Sequence, residues 1–367
     1  MSTAKTGLIT WLLCTVVVVF SLRTMSRVLP GVIHFSNTPR LTNRELISLR
    51  NTAKRNSVIV LAVHQSDASQ GSGFVIRRIG DKAVVATNAH VVMHKGCAAE
   101  RVAVKAFGAT SFTKADLLYA EEDKALRRDL ALLVVCDPMN QLGQEIPFAG
   151  DVRRGDFVLS VGSPLNEDFA VDDGIVERVD VSSQVGNTIY HDALLEHGSS
   201  GGGLFNAKGQ LVGINTYILG DGKTGVALSN GPMLNRLRLY SLKVSANTGW
   251  QNSGIHVNAS DHCVAVLSQG KWSIAGLLPM VDGVGRTDDI YARYSLFPEI
   301  PHGSLLMSLD NGKSAVAIDH WWKNVIRDDS AYLSQPVKGQ NANLAFRIND
   351  TDIANNAGQL DVTVLIW

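Results

Sequence analysis

The chain has 367 residues, 45% of them hydrophobic and 19% charged, and its 34 basic and 34 acidic residues balance to a formal net charge of zero. That length exceeds one average domain and is enough for more than one packed core. With no basic run of five or more, the chain offers nucleic acid no electrostatic footprint, and its ten histidines contain no H-E-x-x-H metal pattern.

Lys5 precedes an apolar run over residues 7–22, interrupted only by Thr10, Thr15 and Ser21. At a rise of about 1.5 Å per residue this run is short for a hydrocarbon core of ~30 Å, and it suits the apolar region of an export signal. No A-x-A site follows, whereas Arg23 and Arg27 do. Residues 1–24 are therefore read as a cleaved signal peptide or a retained signal-anchor helix, and either exports the rest of the chain. Pro30, Gly31, Asn37 and Pro39 mark a linker within 25–54. It ends in a short helix that Thr42 and Glu45 open as a capping box and that runs through Lys54.

From residue 58 the pattern changes to short valine-rich runs bounded by Gly, Asp and Asn: 58–63, 73–76, 83–86, 102–107, 130–135 and 157–161. Further runs at 174–181, 188–190, 203–205 and 211–216 carry it to about Leu228. This spacing predicts an all-β domain over 55–232, a barrel or sandwich. Residues 233–253 read as a short helix and a linker rich in Ser, Asn, Thr and Gly. A second β-rich block then occupies 254–367 and closes on the run 360–367. Of the four cysteines, Cys14 lies in the apolar run, which leaves Cys97, Cys136 and Cys263 in the body. They are read as free thiols, with a Cys97–Cys136 bridge left open for an oxidising compartment.

Three groups stand in the chain order His90, Asp129, Ser200. A serine hydroxyl needs an imidazole to take its proton, and the imidazole needs a carboxylate to fix its tautomer. Glycines around Ser200 suit a tight turn whose N–H groups face a developing oxyanion. The blocks Gly71-Ser72-Gly73-Phe74-Val75-Ile76, Ala86-Thr87-Asn88-Ala89-His90-Val91-Val92, Asp129-Leu130-Ala131-Leu132-Leu133, Gly198-Ser199-Ser200-Gly201-Gly202 and Leu211-Val212-Gly213-Ile214-Asn215-Thr216 together resemble the chymotrypsin-fold proteases of the bacterial HtrA/Deg type. The resemblance implies two six-stranded barrels with His90 as general base, Asp129 as its orienting acid and Ser200 as nucleophile in the cleft between them. It also implies an oxyanion hole from the N–H groups of Gly198 and Ser200. Catalysis would need no cofactor, the substrate would be a protein or peptide, and a homo-oligomer would be in keeping with the family.

Two departures from that pattern stand out. Gly203 replaces the usual proline after the paired glycines, and Glu196-His197 replaces the small polar residue and proline before Gly198. Leu194, six residues before Ser200, matches the base of the primary pocket, with Val226 and Ala227 lining it. An aliphatic base disfavours basic side chains and favours medium apolar ones.

In the C-terminal block, residues 345–360, with Gly270-Lys271-Trp272 and Pro301-His302-Gly303-Ser304-Leu305-Leu306, are similar to the calcium-dependent galactose-binding domain of the LecA lectin type. That likeness implies a jelly-roll-like β-sandwich. Asp350, Asn355 and Asn356 are the expected calcium ligands, since calcium takes hard oxygen donors; an Asx-rich turn is the competing reading of the same loop. The whole is thus expected to be all-β, a chymotrypsin-like double β-barrel followed by the sandwich, with an N-terminal signal or anchor helix. The function expected is an exported serine endopeptidase, periplasmic and anchored in the inner membrane, or secreted if residues 1–24 are cleaved, with a carbohydrate-binding module. The alternative is a non-catalytic lectin-like binding protein on an inactive protease scaffold.

Overall fold

The computed structural model describes residues 41–366, apart from 66, 80, 124–127, 150–151, 165–166, 182–186, 230–233, 235–236, 262, 277, 287, 319–329 and 338. The apolar run expected to be a signal or anchor lies outside the described residues. Among the described residues no helix is long and apolar enough to cross a membrane.

Helix α1 (Asn43–Arg55) opens as expected: Glu45 N–H donates to the Thr42 hydroxyl at 3.3 Å and Thr42 N–H donates to the Glu45 carboxylate at 2.7 Å. Lys54 and Arg55 in its last turn complement the helix dipole. Leu49 and Ala53 are its buried face.

Six antiparallel strands then close a first barrel: β1 (Ser57–Val63), β2 (Ala68–Ile79), β3 (Lys82–Thr87), β6 (Arg101–Ala106), β7 (Thr113–Asp123) and β8 (Arg128–Cys136), in the order β1-β2-β3-β8-β7-β6. One turn of helix, α2 (Ala89–Val92), follows β3, and a small hairpin of β4 (Met93–His94) and β5 (Cys97–Ala98) follows that. Val58, Val60, Val75, Val85, Val104, Leu117 and Leu133 fill the interior. A second closed barrel uses β9 (Phe157–Gly162), β10 (Ala170–Asp180), β11 (Thr188–His191), β12 (Gly203–Asn206), β13 (Leu211–Ile218) and β14 (Gly225–Leu228), in the order β10-β11-β14-β13-β12-β9. Its core includes Val158, Val176, Ile189, Leu204, Val212 and Ala227. Two closed six-stranded barrels are the arrangement of a chymotrypsin-like fold.

The remaining strands form two antiparallel sheets around a common core. One orders β15 (Arg238–Ser245), β23 (Ala357–Ile366), β17 (Cys263–Gln269) and β21 (Ser330–Pro336), with β18 (Trp272–Ser273) also on β23. The other orders β16 (Gln251–Val257), β22 (Ala342–Ile348), β19 (Leu305–Ser308) and β20 (Val316–Ala317). Val244, Val266, Val362, Leu305 and Phe346 meet between them with the fully buried Trp272. This corrects the expected linker over 233–253. Strand β15 pairs with β23 from Arg238↔Ile366 to Ser245↔Gln359, so the C-terminal sheets begin there and not at residue 254.

Nor are these sheets a detached module. Residues 40–367 form one compact unit. A single apolar cluster joins Leu49 of α1, Phe74, Val84 and Leu132 of the first barrel, Phe205 of the second, and Ala265, Leu267 and Leu365 of the C-terminal sheets. Cys97 and Cys136 are both free and exposed, so the bridge left open for an oxidising compartment is not formed.

Candidate active site

Strand β3 delivers Asn88 to the N-cap of α2, which places His90 at the rim of the first barrel. Asp129, near the start of β8, uses both carboxylate oxygens on that residue: Oδ1 accepts the His90 backbone N–H at 3.0 Å, and Oδ2 lies 2.6 Å from Nδ1. An ionised carboxylate only accepts, so the neutral ring carries its proton on Nδ1 and keeps a lone pair on Nε2. The Asp129 side chain is 13% exposed and the His90 side chain 38%, leaving the ring open to the cleft.

Asn88 ties this pair to the second barrel. Its Nδ2 donates to the Asp129 carbonyl at 2.8 Å and to the Thr216 hydroxyl of β13 at 3.3 Å. Sequence reasoning assigned no role to either residue, although both lie inside motif blocks it singled out. Ser200 sits in the turn before β12. Its hydroxyl donates to the Thr216 carbonyl at 3.2 Å, and no hydrogen bond joins it to His90 among the described residues.

The turn over 196–200 closes on itself. Ser199 N–H donates to the Glu196 carbonyl at 2.9 Å, and Glu196 N–H donates to the Ser199 hydroxyl at 3.2 Å. Gly198 has φ +102°, and a Cβ there would come within 2.4 Å of the Ser163 carbonyl oxygen, so only glycine fits. The N–H groups of Gly198 and Ser200 have no acceptor among the described residues. At Gly203, a Cβ would stand 2.4 Å from the Phe205 ring, which accounts for the small residue at this position.

A cavity of about 460 Å³ opens beside Ser200, lined among others by Leu195, His197, Thr216, Tyr217, Ile218 and Leu219. The expected pocket residues do not line it. Leu194 is 57% exposed and borders a neighbouring cavity of about 240 Å³ with Glu167 and Asp172. Its N–H is held by the Asp172 carboxylate at 2.7 Å. The next residue, Leu195, lines the cavity instead. Val226 and Ala227 are both fully buried on β14, with Ala227 in the core of the second barrel. Fully buried His191 has no hydrogen-bond partner on either ring nitrogen among the described residues, and burial, only partly offset by nearby Asn215, pushes its pKa down to about 4.

Of the three expected calcium ligands, two come together. Asn356 Nδ2 donates to the Asp350 carboxylate at 3.0 Å, while Asn355 instead donates to Asp352 at 2.9 Å. Asn355 is turned away because the short helical turn 353–355 carries its side chain toward Asp352. Asn356 Oδ1 is buried without a partner among the described residues. Arg347 donates to the Asp350 carbonyl at 3.0 Å, and His302 Nε2 lies 3.7 Å from the Asp350 carboxylate.

Residues 71–214 match the family model of the trypsin-like peptidase domain. Serine protease HTRA1B of Danio rerio is 32% identical over 155 residues, which are 40% of this chain and 30% of that protein. Serine protease Do-like HtrA of Bacillus subtilis is 30% identical over 192 residues, 48% of this chain and 41% of that protein. Periplasmic serine endoprotease DegP of Escherichia coli is 33% identical over 153 residues, 41% of this chain and 30% of that protein. The chain thus spans less than half the length of these relatives, and the family model falls within the double barrel.

Proposed function

We propose that this chain is an exported serine endopeptidase. The observation that carries the reading is Asp129 holding both the backbone N–H and Nδ1 of His90, on the same cleft as Ser200 and two N–H groups that have no acceptor among the described residues. The Ser200 hydroxyl leaves the Thr216 carbonyl by rotation about its Cα–Cβ bond and gives its proton to His90 Nε2. The oxygen attacks the scissile carbonyl, and the oxyanion is met by the N–H groups of Gly198 and Ser200. His90 then protonates the leaving amine, and water hydrolyses the acyl ester on Ser200. Asp129 and Asn88 hold the imidazole in place throughout. The aliphatic lining from Leu195, Ile218 and Leu219 suits a medium apolar side chain next to the cleaved bond.

Protein substrates and export are in keeping with the periplasmic proteases among the relatives. Anchoring in the inner membrane through residues 1–24, and assembly into a homo-oligomer, belong to the same proposal. The test is reaction of the full chain with a fluorescent serine-directed phosphonate. Wild type is expected to label, and Ser200→Ala and His90→Ala are not. A folded wild type that stays unlabelled would overturn the endopeptidase reading in favour of a binding protein on an inactive scaffold.

The C-terminal sheets would serve as a ligand-binding module of the calcium lectin kind. Support comes from the orphaned Asn356 Oδ1, an oxygen donor beside the buried Asp350 carboxylate. Calcium would add a hard cation to which sugar hydroxyls bind. Arg347 would have to release the Asp350 carbonyl if that carbonyl is to join the ligand set. Added calcium alone is expected to raise the melting temperature of the full chain and to leave that of Asp350→Asn unchanged. Equal behaviour of the two would end the calcium reading.

A further inference from the structure

The Gly71-Ser72-Gly73 block is part of the sequence motif, yet nothing in the proposed mechanism uses it. Ser72 lies on β2 in the first barrel and is 1% exposed. All three of its polar groups are engaged, and each reaches a different part of the active site. Its N–H donates to the carbonyl of Ser200 at 2.8 Å. Its carbonyl accepts the Thr87 hydroxyl at 2.7 Å, three residues before His90. Its hydroxyl lies 2.7 Å from the carbonyl oxygen of Gly198 and 2.8 Å from the backbone nitrogen of Ser163.

The direction of that last pair is unambiguous. Ser163 N–H can only donate, so the Ser72 oxygen accepts there and its one proton goes to Gly198. The neighbouring glycine shows how closely the two barrels approach. A Cβ at Gly71 would lie 2.6 Å from a methyl of Val91 and 3.0 Å from the Ser200 carbonyl oxygen.

We propose that Ser72 is a positioning residue that sets the oxyanion loop from the opposite barrel. This rests on the endopeptidase reading above. The peptide between Gly198 and Ser199 is pinned at both ends: its oxygen by the Ser72 hydroxyl, its N–H by the Glu196 carbonyl at 2.9 Å. With that plane fixed, the left-handed backbone at Gly198 leaves its own N–H without an acceptor. That is the N–H the oxyanion needs. Glycine has the least resistance to rotation of any residue, so a loop built on Gly198 requires such an external hold. Without the Ser72 hydroxyl, the Gly198 carbonyl loses its donor and the adjoining peptide planes are free to turn. Ser72 itself touches no substrate.

The test compares the full-length wild type with Ser72→Ala, Ser72→Cys and Ser163→Ala on one peptide substrate. Ser163→Ala is the control for loss of a buried hydroxyl in the same place, since among the described residues Ser163 Oγ accepts only Phe169 N–H at 3.2 Å and makes no hydrogen bond to Gly198. Ser72→Cys keeps the shape with a much weaker donor, and it serves if the alanine variant fails to fold. Expected in both Ser72 variants is a fall in kcat of about 100-fold, the scale of losing one oxyanion donor, with KM within about 3-fold. Affinity for a peptide boronate, whose tetrahedral adduct places an oxygen at the loop, should fall in step with kcat. Ser163→Ala should stay within about 3-fold of wild type on all three readouts.

A wild-type kcat in Ser72→Cys, or an equal loss in Ser163→Ala, would overturn the role of Ser72. Loss confined to KM would overturn it as well. A folded wild type that neither turns over peptide nor labels with phosphonate would instead bring down the endopeptidase reading itself, so the two failures are distinguishable.

Discussion

His191 holds a position that an ionisable side chain rarely occupies: fully buried on β11, with neither ring nitrogen hydrogen-bonded among the described residues, a place that favours a neutral imidazole. Burial lowers its pKa from an ordinary 6.5 to about 4. The unfolded chain therefore binds a proton below about pH 6.5 that the folded chain refuses until about pH 4. Stability is full above the upper value and falls as the pH drops through this window. It levels off below the lower one. The loss from this single group is on the order of 3 kcal/mol. Chemical denaturation between pH 7.5 and 4 should show that decline, and His191→Gln should flatten it. An unchanged slope in the variant would place the acid sensitivity elsewhere. The same residue marks a limit of reading by motif. His90 could be picked out because a histidine, an aspartate and a serine stand in a known order, whereas His191 belongs to no pattern and only its burial makes it consequential.

At the scale of elements, most barrel strands could be read directly from valine-rich runs bounded by turn residues, and α1 from its capping box. Among the strands that escaped, two share one physical reason. Strand β7 carries Thr113, Lys114, Asp116, Glu121 and Glu122 along one length, and β15 alternates Arg238, Ser241, Lys243 and Ser245 with its apolar residues. Each is polar enough to pass for loop until a partner is supplied, and the partners, β8 for one and β23 for the other, are set by tertiary pairing. The pocket shows the finer form of this problem. Leu194 and Leu195 are chemically identical neighbours, so no sequence pattern says which one faces the cavity. The hydrogen bond from Leu194 N–H to Asp172 settles it, and Asp172 lies 22 residues away on another strand. Local propensity is therefore informative about where strands occur. Side-chain facing at turns depends on contacts that propensity does not contain.

For the molecule as a whole, the consequential finding is the shared core between the barrels and the C-terminal sheets. Strand β15 lies against β2, and β17 against β7. Leu239, Ala265, Leu267 and Leu365 join the cluster that also holds Val84, Leu118 and Leu132. Two polar contacts span the same boundary: Lys82 Nζ to the Thr363 hydroxyl at 3.0 Å, and Gln269 Nε2 to the Asp116 carboxylate at 3.2 Å. Burying each leucine is worth about 1.5–3 kcal/mol, so this surface contributes several kcal/mol to both parts. A chain ending at residue 236 would expose the barrel side of the cluster. Its melting temperature is expected to fall by about 10 °C or more relative to the full chain. The full chain should melt in one transition, followed by far-UV circular dichroism and by phosphonate labelling alike. Two separate transitions, or a truncated chain as stable as the whole, would mean that the sheets are merely tethered. A single transition would mean that the C-terminal sheets are held in a constant relation to Ser200, an arrangement that a flexible linker over 233–253 would not have provided.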